Sequence, residues 1–530
     1  MDEKREEARS GWGRWGGPEH ARPLPDAVAK LLKQVFEVTP PRAPVPLDAV
    51  TAPAPPLPEA ALAALTGIVG ADHVHTGAAA RAAAASGKST PDLVHQRGGE
   101  LPALPAAVLT PADHDQVLAV LAACAEHRLA VVPLGGGTSV VGGLIPQADG
   151  YVTLDLRRLD RLVAVDPVSR TAVLQAGLPA PRAEELLAGH GFTLGHVPQS
   201  YEYATIGGFA ATRSSGQASA GYGRFDDMVV GLTVATPRGT LSTGRAPASA
   251  AGPDLRRLFL GSEGAFGVIT DVTVRVRPVP AQRRYEGWRF ESFAEGTAAA
   301  RRLAQDGPRP TVLRLSDEVE TMLGAAGRGR GDGGCLMIVG HEGADVARAA
   351  ADTAAVLREC GGQELGPEPG EQWAAHRFDA PYLRDALLDA GAFAETLETA
   401  AFWSALPGLY DAVREALFGA LPVPSMVLCH VSHVYETGAS LYFTVVTAYP
   451  DEPVARWRAA KEAACDAILA AGGTISHHHG VGTDHRDWYA REAGPLGVDA
   501  LLGVKRALDP AGVLNPGILL PAPARAEDPS

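Results

Sequence analysis

The sequence predicts an α+β protein of at least two packed units: a strand-rich unit holding a long ligand in several small-residue loops, and a second α+β unit beside it. Three observations lead there. The 530-residue length exceeds what one hydrophobic core fills. Between residues 110 and 278, short strand patterns alternate with three blocks rich in glycine and hydroxyl residues. From about residue 281, helical stretches such as AEGTAAARRLAQ alternate with strands such as TVLRL, CLMIVG and SLYFTVVTAY, an α+β texture.

Charge and cysteine usage narrow the partners and the compartment. Forty-seven Lys and Arg against 61 Asp and Glu give a net charge of -14, which opposes the phosphate contacts that dominate nucleic-acid affinity. Five scattered cysteines form no C-x-x-C pair and cannot close as a disulfide framework, so a reducing, cytoplasmic setting is expected. The charged, glycine-rich opening lacks a signal-peptide h-region, and no apolar run approaches a membrane span. A homodimer and peripheral contact with a lipid surface are both compatible with the sequence.

Residues 39–58 are too rich in proline for helix or central strand and read as an extended linker or arm. PEAALAALTGIVG suggests a short helix, whereas ARAAAASGKST fails as a P-loop because Ala82 replaces its first glycine. Thr110 is expected to cap a helix with Pro111 at its first position, and Val117, Leu118, Leu121, Cys124 and Ala125 form its apolar stripe. LAVVPL then reads as a strand entering GGGTSVVGG, and YVTLDL, LVAVD and TAVLQA as further strands. A helix is expected around AEELLAGH, and VVGLTVATPRGTLSTG reads as a hairpin turning at Pro237, Arg238 and Gly239. In VITDVTVRVRP, Val272, Val274 and Val276 alternate with Thr273, Arg275 and Arg277 as in a half-buried strand. LLGVKRALDPAGVLNPGILL is expected to be a closing helix and loop, and PAPARAEDPS a disordered tail. The expected organisation is an N-terminal extension over 1–99, a ligand-binding unit over 100–280, a second unit over 281–500, a segment over 501–520 returning to the first unit, and the tail.

Two features carry chemistry. Gly135, Gly136 and Gly137 with Thr138 and Ser139 follow a strand directly, so backbone N–H groups and hydroxyls are free to approach an anion. The loop is not a Rossmann G-x-G-x-x-G, because Val140 stands at the third glycine position. Together with PQSYEYATIGGFAATRSSG and GSEGAFGVITDVTVRVRP it suggests one long ligand held at several points. The second feature is TISHHHGVGTDHRDW. If SHHHG is extended, His477 and His479 share a face and form an H-x-H pair that His485 or Asp484 would complete as a metal site. Proton chemistry and plain packing in a loop are the alternatives.

The ordered set PLGGGTS, TIGGFAATRSSG, VATPRG, GPDLRRLFLGSEGAFGVIT, VRVRPVP and SHHHGVG resembles the alkyldihydroxyacetonephosphate synthases within the vanillyl-alcohol-oxidase-type flavoproteins, and the opening GWGRWGG resembles that family's Trp-Gly segment. The resemblance implies a two-subdomain FAD-binding domain followed by a cap domain over the substrate. It places FAD against Pro133, Leu134, Gly135, Gly136, Gly137, Thr138 and Ser139, then Gln199, Ser200, Tyr201, Glu202, Tyr203, Ala204 and Thr205. Further contacts would come from Thr212, Arg213, Ser214 and Ser215, from Glu263, Gly264, Ala265, Phe266, Gly267, Val268 and Ile269, and from Arg314 in TVLRLSDE. Thr138 stands where some relatives carry a flavin-linking histidine, so the FAD is expected to be non-covalent.

The same resemblance makes Tyr435 of SHVYETGASLYF the proton acceptor and donor at the substrate carbon, His477, His478 and His479 active-site groups with no metal, and Arg384 the substrate-phosphate arginine. A surface ion pair with Asp385 is the plainer reading of Arg384. The implied reaction exchanges the acyl group of acyl-dihydroxyacetone phosphate for a fatty alcohol, with an apolar tunnel expected in the second unit. The DPAGVLNPGILL ending is closer to D-lactate-dehydrogenase-like enzymes, which makes flavin-dependent oxidation of a D-2-hydroxy acid the rival activity.

Overall fold

A computed structural model describes residues 11–50, 55, 57–102, 104–326 and 333–521. The C-terminal tail beyond Pro521 and part of the proline-rich arm lie outside them. Three principal sheets organise the chain. In the first, Ala107–Leu109, Tyr151–Asp155 and Ala130–Leu134 run parallel, with Val74–His75 added antiparallel at the edge. The helix His114–Glu126 provides the crossover and buries Val117, Val120, Leu121 and Cys124. Its cap is Asp113, whose carboxylate accepts the Gln116 N–H at 2.9 Å, rather than Thr110. Thr110 does not cap the helix because its hydroxyl bonds His73 Nδ1 at 3.1 Å and its N–H pairs with His73 O, continuing the strand pairing, so the helix starts later.

The second sheet is antiparallel, in the order Leu162–Asp166, Thr171–Gln175, Val268–Arg275, Val229–Thr236, Gly239–Ser242. Val272, Val274 and Val276 are buried, and the hairpin turns between Thr236 and Gly239 as expected. One large apolar cluster joins these two sheets with their helices.

A second cluster belongs to a seven-stranded antiparallel sheet, ordered Gln363–Gly366, Gln282–Phe290, Cys335–Gly343, Val312–Ser316, Ser425–Val434, Gly438–Ala448, Ala392–Phe402. Helices Phe293–Asp306, Val346–Glu359, Leu406–Ala420 and Pro453–Ala470 pack on this sheet. Side chains alternate across a strand, and two faces result. Val427, Cys429 and Val431, with Leu441, Phe443 and Val445, enter the core, while Met426, Leu428, His430, Tyr442, Thr444 and Val446 face a cavity.

The chain closes through the helix Arg486–Leu508, kinked at Gly494 and Pro495. Residues 513–515 then bond Val131, with Val131 N–H to Val513 O at 2.8 Å and Asn515 N–H to Val131 O at 2.9 Å, joining the C-terminal segment to the first sheet. The N-terminal helix Asp26–Leu31 and the turn Leu32–Phe36 pack on the other side, with Leu32 and Phe36 against Leu387, Ala392 and Ala394.

Candidate active site

One cavity of about 730 Å³ runs from the glycine loop, past the polar face of the seven-stranded sheet, to an apolar end. Pro133 through Ser139, Gln199, Ser200, Ala204, Thr205, Thr212, Ser214, Ser215, Glu263, Gly264, Gly267, Val268 and Ile269 line it. Gly136 is required by packing, because a Cβ there would stand 2.0 Å from Tyr203 O. Among the described residues the Gln199 amide nitrogen, buried in this wall, has no hydrogen-bond partner, as expected of a ligand-facing donor. The narrow polar loops and this orphaned donor fit a long cofactor bearing phosphates.

Six residues expected in the cofactor wall lie outside it. Tyr201 stacks on Phe378 with ring centroids 5.6 Å apart, Glu202 accepts the Tyr382 hydroxyl at 2.8 Å, and Tyr203 meets Trp15 edge to face. Arg213 turns to Asp226 at 3.0 Å, and Ala265 and Phe266 are buried in the core.

Glu398 organises the histidines. It lies on the same face of its strand as Thr396, opposite Tyr442 in register, and is fully buried. Its carboxylate accepts the N–H groups of His477, His478 and His479 at 2.8, 3.1 and 2.9 Å and the Ser476 hydroxyl at 2.9 Å. The loop is therefore bent around a carboxylate rather than extended, and His478 and His479, not the 477/479 pair, line the cavity. Burial opposes the Glu398 charge, but the three histidines and their N–H groups hold its pKa well below the ordinary range. Burial depresses the histidines in turn, His477 well below the usual value and His479 to about 3.

Asp484 and His485 do not complete a metal site with His477 and His479. Asp484 binds Lys461 at 2.8 Å, and His485 Nδ1 engages Gly480 O at 3.0 Å. Among the described residues the nitrogens that do converge are those of His433, His477 and His478, within 4.8 Å of one another, with His433 also bonded to Ser219 Oγ at 2.6 Å.

Tyr435 reaches this cluster because of a β-bulge between Val431 and Val434. The bulge lets both Ser432 and His433 line the cavity, and Tyr435 sits behind them with its hydroxyl 2.5 Å from His477 Nε2. Burial raises the Tyr435 phenol, while hydrogen bonds from Ser215 and the charge of Arg224 pull it back. Sequence reasoning missed Arg224, His433 and Glu398; the only signals were two acids in an otherwise apolar strand and a histidine two residues before the tyrosine.

Arg384 lies on the helix Ala380–Asp389, half-way along the cavity. One guanidinium nitrogen donates to Lys88 O at 2.6 Å, while Nε and Nη2 are buried without hydrogen-bond partners among the described residues. The ion pair with Asp385 is present but loose and buried rather than at the surface: the separation is 3.9 Å, and the other Asp385 oxygen accepts the Trp15 N–H at 2.7 Å. Arg314 also lines the cavity, bonded to His430 at 3.0 Å and to Glu320 at 2.8 Å. Beyond Arg384 the wall is Val28, Leu31, Leu32, Phe36, Leu387, Met426 and Val446, so the N-terminal extension, not the second unit alone, builds the apolar end.

Residues 105–244 match the family "FAD binding domain", and residues 279–519 match "FAD linked oxidases, C-terminal domain". The fold and the site thus define an FAD-dependent flavoprotein of the FAD-linked oxidase type. The chain is 33% identical to the alkyldihydroxyacetonephosphate synthase of Trypanosoma brucei brucei, over 86% of this chain and 80% of that protein. It is 32% identical to the synthase of Dictyostelium discoideum, over 82% and 76%. A mitochondrial D-lactate dehydrogenase of Saccharomyces cerevisiae is 27% identical over 78% and 72%. A solved alkyldihydroxyacetonephosphate synthase superposes with a TM-score of 0.82 at 27% identity, covering 96% of this chain and 98% of that one. p-Cresol methylhydroxylase, at 17% identity and a TM-score of 0.71 over 87% and 96%, shares the fold. The chain belongs to the alkyldihydroxyacetonephosphate synthase family. No helix among the described residues is long and apolar enough to cross a membrane.

Proposed function

We propose that the protein exchanges the acyl group of an acyl-dihydroxyacetone phosphate for a fatty alcohol, giving the ether lipid precursor. The carrying observation is Arg384, two of whose donors make no hydrogen bond among the described residues and stand in one cavity between the histidine cluster and a long apolar end. A permanently charged planar fork suits a phosphate, and the apolar end suits an alkyl chain, which a small hydroxy acid does not need.

FAD would be held by the glycine loop, Gln199, Thr212, Ser214, Ser215 and the Glu263–Ile269 segment, and it supplies a ring that can bond reversibly to the substrate carbon. The chain's own groups do the rest. Arg384 fixes the phosphate and thereby the carbon to be changed. Tyr435 takes the proton from that carbon, assisted by His477, and returns it once the alcohol has replaced the departing carboxylate, to which the alcohol's own proton is lost. His478 and His479, kept neutral by burial, donate hydrogen bonds to the oxygens that gain charge. Exposed Val35, Met322 and Leu383 lie on segments bordering the apolar end and support peripheral contact with a lipid surface.

Incubation of the FAD-loaded protein with palmitoyl-dihydroxyacetone phosphate and labelled hexadecanol tests the reading. Labelled ether that disappears in Tyr435→Phe supports it. Rapid flavin bleaching by D-2-hydroxy acids without ether formation would replace it with the dehydrogenase activity.

A further inference from the structure

We infer that Arg224 is the positioning residue for Tyr435, holding the phenol oxygen against His477 and supplying the positive charge beside it. The inference rests on the proton-transfer role given to Tyr435 above.

Arg224 is fixed on several sides. Gly223, at φ +85°, turns the chain into the short helix Phe225–Met228, and the Arg224 N–H caps onto Asp227 at 3.1 Å. Its Nε donates to Asp226 at 3.1 Å and its Nη2 to Arg213 O at 2.8 Å. Asp226 is itself held by Arg213 at 3.0 Å and Arg257 at 3.1 Å, and its side chain is only 2% exposed. A guanidinium anchored in this way has one edge left, and that edge and its charge approach the Tyr435 hydroxyl. The anchor matters because a long side chain otherwise gives up much rotamer freedom to make one contact.

Among the described residues the other permanent cation beside Tyr435 is Arg491, across the outer groove, and it is paired with Asp466 at 2.5 Å. The residues facing Tyr435 are Ser215, Arg224 and Asp226 from the 213–228 segment, His477 and His478 from the bent loop, and His433 on its own strand, with Arg491 and Glu492 across the outer groove beside it. All three histidines are driven toward the neutral form by burial, and His433 is further discouraged by His477, and His477 by His478. His477 is therefore uncharged at rest and becomes a cation only while it holds the proton of Tyr435. Arg224 cannot lose its proton, so its charge persists at every working pH. In the proton step, the C–H bond of the substrate breaks, an O–H bond forms on Tyr435, and the electron pair stays with the carbon. The proton Tyr435 held beforehand rests on His477 Nε2. An opposite charge in direct contact lowers the cost of the anionic phenol by about 1–3 pKa units.

The test compares Arg224→Gln and Arg224→Lys, each alone and combined with Tyr435→Phe, in the full-length FAD-loaded enzyme. Flavin content, thermal unfolding and the profile of kcat between about pH 6.5 and 9.5 are recorded. The expected result is that R224Q keeps its flavin and its unfolding temperature, loses about tenfold or more in kcat, and moves the base limb of the profile upward by about one unit. R224K shifts it by an intermediate amount, and R224Q adds nothing to Tyr435→Phe. An unchanged profile in R224Q, with Tyr435→Phe inactive, overturns the inference and leaves the role of Tyr435 intact. An active Tyr435→Phe enzyme instead overturns the proton-transfer reading itself. Should R224Q fail to fold, R224K decides: an ammonium cannot span Asp226, Arg213 O and Tyr435 together, so an unchanged profile there overturns the inference as well.

Discussion

Replacing Glu398 with glutamine removes one charge and almost no volume from the point where the histidine loop is anchored. The carboxylate accepts four hydrogen bonds, from Ser476 Oγ and the N–H groups of His477, His478 and His479, between 2.8 and 3.1 Å. A hydrogen bond to a charged acceptor contributes about 1.5–3 kcal/mol and a neutral one about 0.5–1.5 kcal/mol, so four bonds lose roughly 4 kcal/mol in total. The Oε1 position receives three of the donors and remains an oxygen in the favoured amide orientation. The new NH₂ then faces the His477 N–H, donor against donor, which adds about 1–3 kcal/mol. Relief from burying a charge offsets part of this, leaving a net loss of about 3–5 kcal/mol. Chemical denaturation of the FAD-loaded protein measures it. Because His477 loses its placement, and with it the contact to the Tyr435 hydroxyl, kcat/KM should fall about 100-fold with flavin content preserved. A Glu398→Gln enzyme within about 0.5 kcal/mol of the parent and near full turnover would refute the anchoring argument.

Other predictions follow from single contacts. Gly136→Ala puts a methyl 2.0 Å from Tyr203 O, so the purified variant should carry little flavin, read from its visible absorbance against protein absorbance. Arg384→Lys keeps the charge but loses two fork donors, and kcat/KM for the phosphate substrate should drop by about 10- to 100-fold through KM, with FAD retained. His196, buried between Phe209 and Phe225, is pushed down to about 3. Its folded pKa lies below the unfolded value, so the stability it contributes is full above about pH 6.5 and is lost as pH falls, by about 1.4 kcal/mol per unit. His196→Phe should flatten the stability–pH slope below pH ~6.5 by about one proton, measured by denaturant titrations across that range. Aspartate at Val35, Met322 and Leu383 should reduce co-sedimentation with phosphatidylcholine vesicles while leaving flavin content unchanged; undiminished binding would remove that face as the contact.

Much of the architecture was legible because period and turn chemistry are local. The alternation in VITDVTVRVRP, the hairpin at Pro237–Gly239 and the glycine loop after LAVVPL all formed where their residue patterns placed them. Thr110 misled because Thr-Pro reads as a helix start wherever it occurs, whereas His73, beside a distant edge strand, engages both its hydroxyl and its N–H. Tyr435 and the histidine triplet could be singled out, but their contact depends on a bulge and on Glu398, some 80 residues earlier in the chain, which no local period encodes. The alternation rule for SHHHG failed for the same reason: a buried carboxylate collecting three consecutive N–H groups forces a bend. Arg384 stood out for its type, yet its availability follows from Trp15 occupying Asp385, a contact between opposite ends of the sequence. The apolar wall from residues 28–36 was likewise invisible, since those residues acquire meaning only by packing on Leu387 and Ala394.

The central claim is a redox-neutral exchange in one cavity. Its most direct test mixes the FAD-loaded enzyme anaerobically with palmitoyl-dihydroxyacetone phosphate and labelled hexadecanol, while the flavin spectrum, released palmitate and labelled ether are followed together. The account predicts ether and palmitate in equal amounts over many turnovers, with the flavin oxidised at the end. Stoichiometric flavin reduction that stops after one turnover, with no ether formed, would contradict it.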